Sequence, residues 1–326
     1  VVSRSESLGY PEFLCRSESY CFADPFCGVV RVELGILIEV LGGIGLFLVG
    51  MSLMTQSLKT LAGDWMYSLL SSFTDRPIRS FLWGVITTLL IQSSSATVLM
   101  TIGFVSAGMI TFSRAIGILM GASLGTTGTG WIVASVGLKV QIDAIALPLV
   151  ALAGGLMVLG RGKWRQLGTS FAGFSLLFIG INTLKNGMGD FANSFDFARI
   201  PDHGVLAVLL SLTIGFVLTL VVQSSSAAMA ATLTTLAARA INIEQAATIA
   251  IGASIGTTIT GALASLGAGT SARRTALAHI LFNLIGAVIG LILLPLFLLF
   301  EKMLREHWNY RDDAISLAVF HTTFIG

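Results

Sequence analysis

Serine, threonine and glutamine side chains can hold ions without carrying charge, and this chain gathers them twice. One group is Gln92, Ser93, Ser94 and Ser95; the other is Gln223, Ser224, Ser225 and Ser226. Each stands inside an apolar stretch, where polar groups left without partners in hydrocarbon are costly. A second motif begins 29 residues after each Gln, Gly121–Gly130 and Gly252–Gly261, both reading Gly-Ala-Ser-x-Gly-Thr-Thr-x-Thr-Gly. Both pairs are offset by 131 positions, and the same offset joins Gly84 to Gly215, Thr88 to Thr219, Thr101 to Thr232 and Ala107 to Ala238. The chain therefore contains one duplicated unit.

The chemistry open to these residues is ion binding. A hydroxyl both donates and accepts, and a Gln amide adds two donors and a carbonyl. A helix that starts just after each serine run turns its free N–H groups and positive dipole end toward the motif, which favours an anion. Half-helices that end near Gly121 and Gly252, and arms that end at Ile91 and Val222, would expose carbonyls suited to sodium. With further half-helices starting after Thr127 and its counterpart, four positive ends are expected. An anion and cations sharing one site is what ion-coupled symport requires.

The elements that must position these groups are membrane helices. The chain has 326 residues, 54% hydrophobic and 11% charged, against roughly 25% charged in a soluble domain. The alternating segments of a membrane β-barrel are absent from the sequence. A net charge of +2 gives no reason to expect nucleic acid as a partner. Cys15, Cys21 and Cys27 fall in a polar N-terminal tail at a spacing wider than zinc motifs use, so neither a metal nor a disulfide is expected there.

The fold class that follows is an all-α polytopic membrane protein with two inverted-topology repeats. Residues 1–33 form the tail, 34–163 the first repeat, 164–300 the second, and 301–326 a connection with the start of a further helix; the natural chain is expected to continue. The first span is Leu34–Leu61. The segments Ile78–Ile91 and Ala96–Ile110 each reach about 21 Å, short of the roughly 30 Å hydrocarbon core, and so read as a re-entrant hairpin. Four glycines within Gly121–Gly130, at about 1 kcal/mol each in a helix, read as an unwound break in a transmembrane helix; a small-residue packing face is the alternative. Ala144–Leu159 and Leu167–Lys185 cross next. Val205–Ala240 is the second hairpin, Gln245–Leu266 the second broken helix and Thr275–Phe300 a further span. Three crossings separate the hairpin tips, so the hairpins enter from opposite faces and their tips meet near the midplane.

These paired motifs, each Gln-Ser-Ser-Ser followed by Gly-Ala-Ser-x-Gly-Thr-Thr, resemble the sodium–phosphate cotransporter family, the type II symporters and their bacterial relatives. The resemblance runs from about Leu34 to the C-terminus. It implies a sodium-coupled secondary transporter importing inorganic phosphate by an elevator-like alternation, multi-pass in the plasma membrane, a bacterial inner membrane on this reading. It also implies Na⁺ as the coupling ion; separately, the spanning helices are expected to form a scaffold with a homodimer contact. Carried over residue by residue, it assigns phosphate to Gln92, Ser93, Ser94, Ser95, Gln223, Ser224, Ser225 and Ser226. Sodium goes to Ser123, Thr126, Thr127, Ser254, Thr257 and Thr258. Family members often have Asn where Ser123 and Ser254 stand, and the large loop between repeats of animal members is absent.

Other readings are weaker. Another anion, a dicarboxylate or sulfate, fits the same hydroxyls, and a non-transport membrane protein fits the composition. Gly121–Gly125 and Gly252–Gly256 satisfy the Gly-x-Ser-x-Gly elbow of hydrolases, but that elbow needs a preceding strand and Asp and His partners. No catalytic residue is therefore assigned and no enzyme activity is expected. His279 has Pro148 as its counterpart and reads as helix packing, with a supporting role behind the site as the alternative.

Overall fold

The computed structural model describes residues 25–71, 77–138, 143–194, 204–265, 269–308 and 312–326. The described residues form twelve α-helices and one π-helical turn. In the first half, α1 (Pro25–Ser71) is followed by α2 (Pro77–Ile91), α3 (Ser94–Ser106) and α4 (Phe112–Ile132). The π turn Val133–Gly137 and α5 (Asp143–Leu159) complete that half. The second half repeats the series as α6 (Lys163–Ser194), α7 (Val205–Val222), α8 (Ser225–Ala237), α9 (Ile243–Gly256), α10 (Thr258–Ala264) and α11 (Thr270–Trp308). Helix α12 (Asp313–Ile325) follows. Six of the described helices are long and apolar enough to cross a membrane; α2, α3, α5 and α12 are apolar but shorter, so the expected crossing Ala144–Leu159 is not among the six, whereas α7, expected as a hairpin arm, is. Cys15 and Cys21 lie outside the described residues.

The duplicated glycines decide how the helices pair. Helix α2 packs along α4, and α7 along α9. A Cβ on Gly121 would collide with the backbone of Phe81 and Val85, and one on Gly252 with the matching Leu212 and Phe216. Gly84 and Gly215 return the contact against Ile118 and Ile249. Only glycine lets two backbones approach so closely, and in lipid such small-residue packing is a main source of helix association.

This corrects the expected break in the first repeat. Helix α4 runs without interruption through Gly121–Gly130. Its glycines serve the α2 contact, and dispersion along that face offsets their low helix propensity. The second repeat is interrupted at the single residue Thr257, between α9 and α10. In the first repeat no helix ends near Gly121 or starts after Thr127, so of the four expected positive ends those of α3 and α8 and the start of the seven-residue α10 remain.

Helices α1 and α6 form a second close pair, in which Gly43 and Gly50 pack against Leu184 and Leu177. The largest core draws on both halves and on α12, around Phe47, Ile181, Leu233, Ile251 and Leu317. Arg305 near the end of α11 pairs with Glu301 and with Asp313 of α12. Trp131 Nε1 donates to Thr322 Oγ1 at 2.9 Å. These contacts hold α12 against both α11 and α4.

Candidate functional site

Each polar tip is a two-residue joint between helices. Gln92 follows α2 and Gln223 follows α7, with φ of 54° and 55°. Left-handed backbone is ordinarily glycine's place at a helix end, and for another residue it costs about 1–2 kcal/mol. The same strain appears at the same residue in both halves, and strain of this kind concentrates at functional sites. Each Gln Nε2 turns back to donate to a carbonyl of its own helix, Leu89 and Leu220, at 2.5 Å. Ser93 and Ser224 then start the next helices from extended backbone. Their Oγ atoms accept from Ala96 N and Ala227 N at 3.2 Å, as N-cap serines do.

The two tips line one cavity of about 410 Å³. Gln92, Ser93, Ser94 and Ser95 face it from one half, and Gln223, Ser224, Ser225 and Ser226 from the other. Helix α1 closes a side with Ser52, Thr55 and Gln56. A much smaller cavity, about 20 Å³, shares Ser94 and Ser225 with it. Its other polar walls are Ser123, Thr126, Ser254, Thr257, His279, Asn283 and His321. Of the six residues assigned to sodium from sequence, Thr127 and Thr258 line neither cavity. They donate to Leu124 O and Ile255 O of their own helices. No Lys, Arg, Asp or Glu lines either cavity.

Hydroxyl protons separate the two cavities chemically, because each Ser or Thr has one O–H to donate. Around the small cavity those protons are already used. Ser123 donates to Leu119 O, Thr126 to Ala122 O, Ser254 to Ala250 O and Thr257 to Ala253 O, at 3.0–3.2 Å. Lone pairs are what these side chains have left, and lone pairs attract a cation. At the tips the balance is reversed. Ser93 and Ser224 accept from the backbone. Their own protons stay available for an anion.

Thr129 escaped the sequence reading. It is 4% exposed and donates to Gln92 Oε1 at 2.9 Å while approaching Ser226, so it touches both tips. Its place beside Thr126 and Thr127 in the duplicated motif was the available signal. The halves differ here. Its counterpart Thr260 donates to Thr257 O instead, and Gln223 is exposed where Gln92 is buried. Thr88 bonds Thr97 across the first tip at 3.0 Å. Thr219, its counterpart, faces Ala228 in sequence register and has a buried Oγ1 without a partner. Thr55 of α1 also donates to Ile91 O at 2.9 Å. The first tip is thus tied at three points.

The family model described as Na+/Pi-cotransporter matches residues 46–186 and 197–316. The uncharacterized protein YqeW of Bacillus subtilis (strain 168) is 34% identical over 291 residues, covering 89% of this chain and 91% of that protein. A protein named "Putative inorganic phosphate export protein YjbB" in Escherichia coli (strain K12) is 28% identical over 288 residues, covering 87% of this chain. The chain spans about half, 51%, of that relative's length. The human "Sodium-dependent phosphate transport protein 2B" is 32% identical over 103 residues, 31% of this chain and 15% of that protein. No solved structure matches.

Proposed function

The chain belongs to the Na+/Pi-cotransporter family, and from that premise we propose that it is a sodium-coupled carrier of inorganic phosphate. Its six membrane-length helices and its family make it a multi-pass membrane protein, and its bacterial relatives point to an inner membrane. The observation that carries the proposal is the single cavity of about 410 Å³ lined by both Gln-Ser-Ser-Ser tips.

Phosphate sits in that cavity. The hydroxyls of Ser93, Ser94, Ser95, Ser224, Ser225 and Ser226 and the amides of Gln92 and Gln223 donate to its oxygens. The first turns of α3 and α8 add free N–H groups and two positive dipole ends. Sodium occupies the small cavity next door against Ser123, Thr126, Ser254 and Thr257, where the volume admits one small ion or water. Thr127 and Thr258 stand one residue beyond it. Because no fixed cation lines either cavity, co-bound sodium neutralises the anion, the small cavity holding one ion of the about two that a divalent phosphate needs, and that mutual dependence is the coupling.

Helices α2–α3 and α7–α8 act as re-entrant hairpins of two inverted repeats and move with α4 and α9–α10, against which they pack, as an elevator-like unit against a scaffold of α1, α5, α6 and α11. The scaffold also supplies a homodimer contact. An inward sodium gradient then drives import. The name of YjbB favours a second reading, export, for the same site run the other way. Counterflow in proteoliposomes with phosphate, sulfate and a dicarboxylate tests the substrate. Exchange of phosphate alone is expected; equal exchange of all three anions contradicts the assignment.

A further inference from the structure

Two histidines outside the duplicated motifs stand at the small cavity. His279 on α11 is 1% exposed and His321 on α12 is 5% exposed. Each has a buried Nδ1 without a hydrogen-bond partner, a state native proteins rarely leave unexplained. Their surroundings match. A Cβ built on Gly261 would lie 3.1 Å from His279 Nδ1, with Val98 beside it; one on Gly130 would lie 3.9 Å from His321 Nδ1, with Met229 beside it. Gly130 and Gly261 are counterparts at the 131-residue offset, and so are Val98 and Met229. The histidines are not, since their own positions 131 earlier hold Pro148 and Asp190. Two helices unrelated by the duplication thus bring the same side chain to matching places on the duplicated ones.

Asn283, one turn after His279, has donated its Nδ2 to His279 O at 2.9 Å, which leaves its Oδ1 as an acceptor. A neutral imidazole carries one N–H and one lone pair. A buried N–H without an acceptor is the rarer defect, so the proton belongs on Nε2 and both Nδ1 atoms present lone pairs. We propose that His279, Asn283 and His321 complete the cation site of the small cavity, Asn283 through its amide oxygen beside the four motif hydroxyls and the two imidazoles by directing their lone-pair dipoles at the ion. The inference rests on reading that cavity as the sodium site. It gives α11 and α12 a share in ion binding that the duplicated motifs do not reveal.

Thermal unfolding of the detergent-purified protein in sodium chloride and in choline chloride, with phosphate absent, tests this. Sodium raises the melting temperature of the wild type, because a ligand bound only by the folded state stabilises it. His279→Leu and His321→Leu each raise the half-stabilising sodium concentration by about tenfold or more. His279→Asn and His321→Asn, which keep an oxygen near the place of Nδ1, stay near wild type. A purely packing role predicts no such split between Leu and Asn. Undiminished sodium stabilisation in both Leu variants, or none in the wild type, overturns the proposal. If a Leu variant does not fold, the Ala variant at the same position takes its place: a weakened sodium response supports the site and an undiminished one rejects it. A failure of phosphate transport leaves this sodium measurement standing, so the two claims fall separately.

Discussion

Thr129 carries the sharpest claim at the scale of single residues. Its hydroxyl reaches Gln92 Oε1 and approaches Ser226, and Thr129→Val keeps the shape while removing both contacts. A buried Gln carbonyl left without its donor costs about 1–3 kcal/mol, so phosphate uptake should fall roughly ten- to a hundredfold in half-saturation or rate. Thr260→Val, whose hydroxyl donates only within its own helix, should change it less. Ser94→Ala and Ser225→Ala remove donors shared by the two cavities and should shift phosphate and sodium dependence together. Initial-rate uptake across both ion concentrations checks all four. The sequence made the serine runs legible because polar residues in an apolar stretch have little other use. Thr129, His321 and Asn283 were not legible as site residues, since their roles depend on which helices pack together.

At the scale of elements, the glycines of Gly121–Gly130 were legible as unusual but misread in kind. Helix propensity measured in water argues for a break. The folded protein instead uses Gly121 to bring α4 against the backbone of α2, a gain that no local window of sequence contains. Gly121→Ala and Gly252→Ala should therefore lower stability by about 1–3 kcal/mol, the range for overpacking, although alanine favours helix. Gly154→Ala, where an added Cβ meets nothing within 4 Å, should be neutral or slightly stabilising. Melting temperatures of the three variants in one detergent and salt decide the matter. If Gly121→Ala matches Gly154→Ala, close packing is not the reason for the glycine. The helix–joint–helix form at Gln92 was readable from its two short apolar arms together with the family resemblance, whereas α7 before Gln223 is long enough to cross a membrane by itself. The left-handed Gln joints were not readable, as that conformation is normally glycine's.

At the scale of the molecule, the duplication was plain in the sequence and the unequal use of its halves was not. The first tip is tied through Thr55, Thr88 and Thr129, while in the second Thr219 has no partner and Gln223 is exposed. A single substitution such as Ala228 in place of a counterpart to Thr97 removes a bond that near-identical motifs conceal. Charge is the other whole-molecule property. No ionised side chain lines either cavity, so on the proposed function a divalent phosphate is neutralised by co-bound sodium. Moving an unbalanced charge across the membrane involves about 2.3 kcal/mol per 100 mV. About two sodium ions per phosphate, and so near-electroneutral transport, is the stoichiometry that avoids this term. Uptake at a fixed sodium gradient should then vary little with imposed membrane potential, and a steep rise with inside-negative potential would require a third sodium ion.

The most direct test is labelled phosphate uptake into proteoliposomes of the purified protein under an inward sodium gradient, beside the same vesicles under an equal potassium gradient. The account predicts accumulation of phosphate above its outside concentration with sodium and only equilibration with potassium. Equal uptake under both cations, or no uptake under either, would contradict a carrier that joins an anion cavity to a sodium cavity through Ser94 and Ser225.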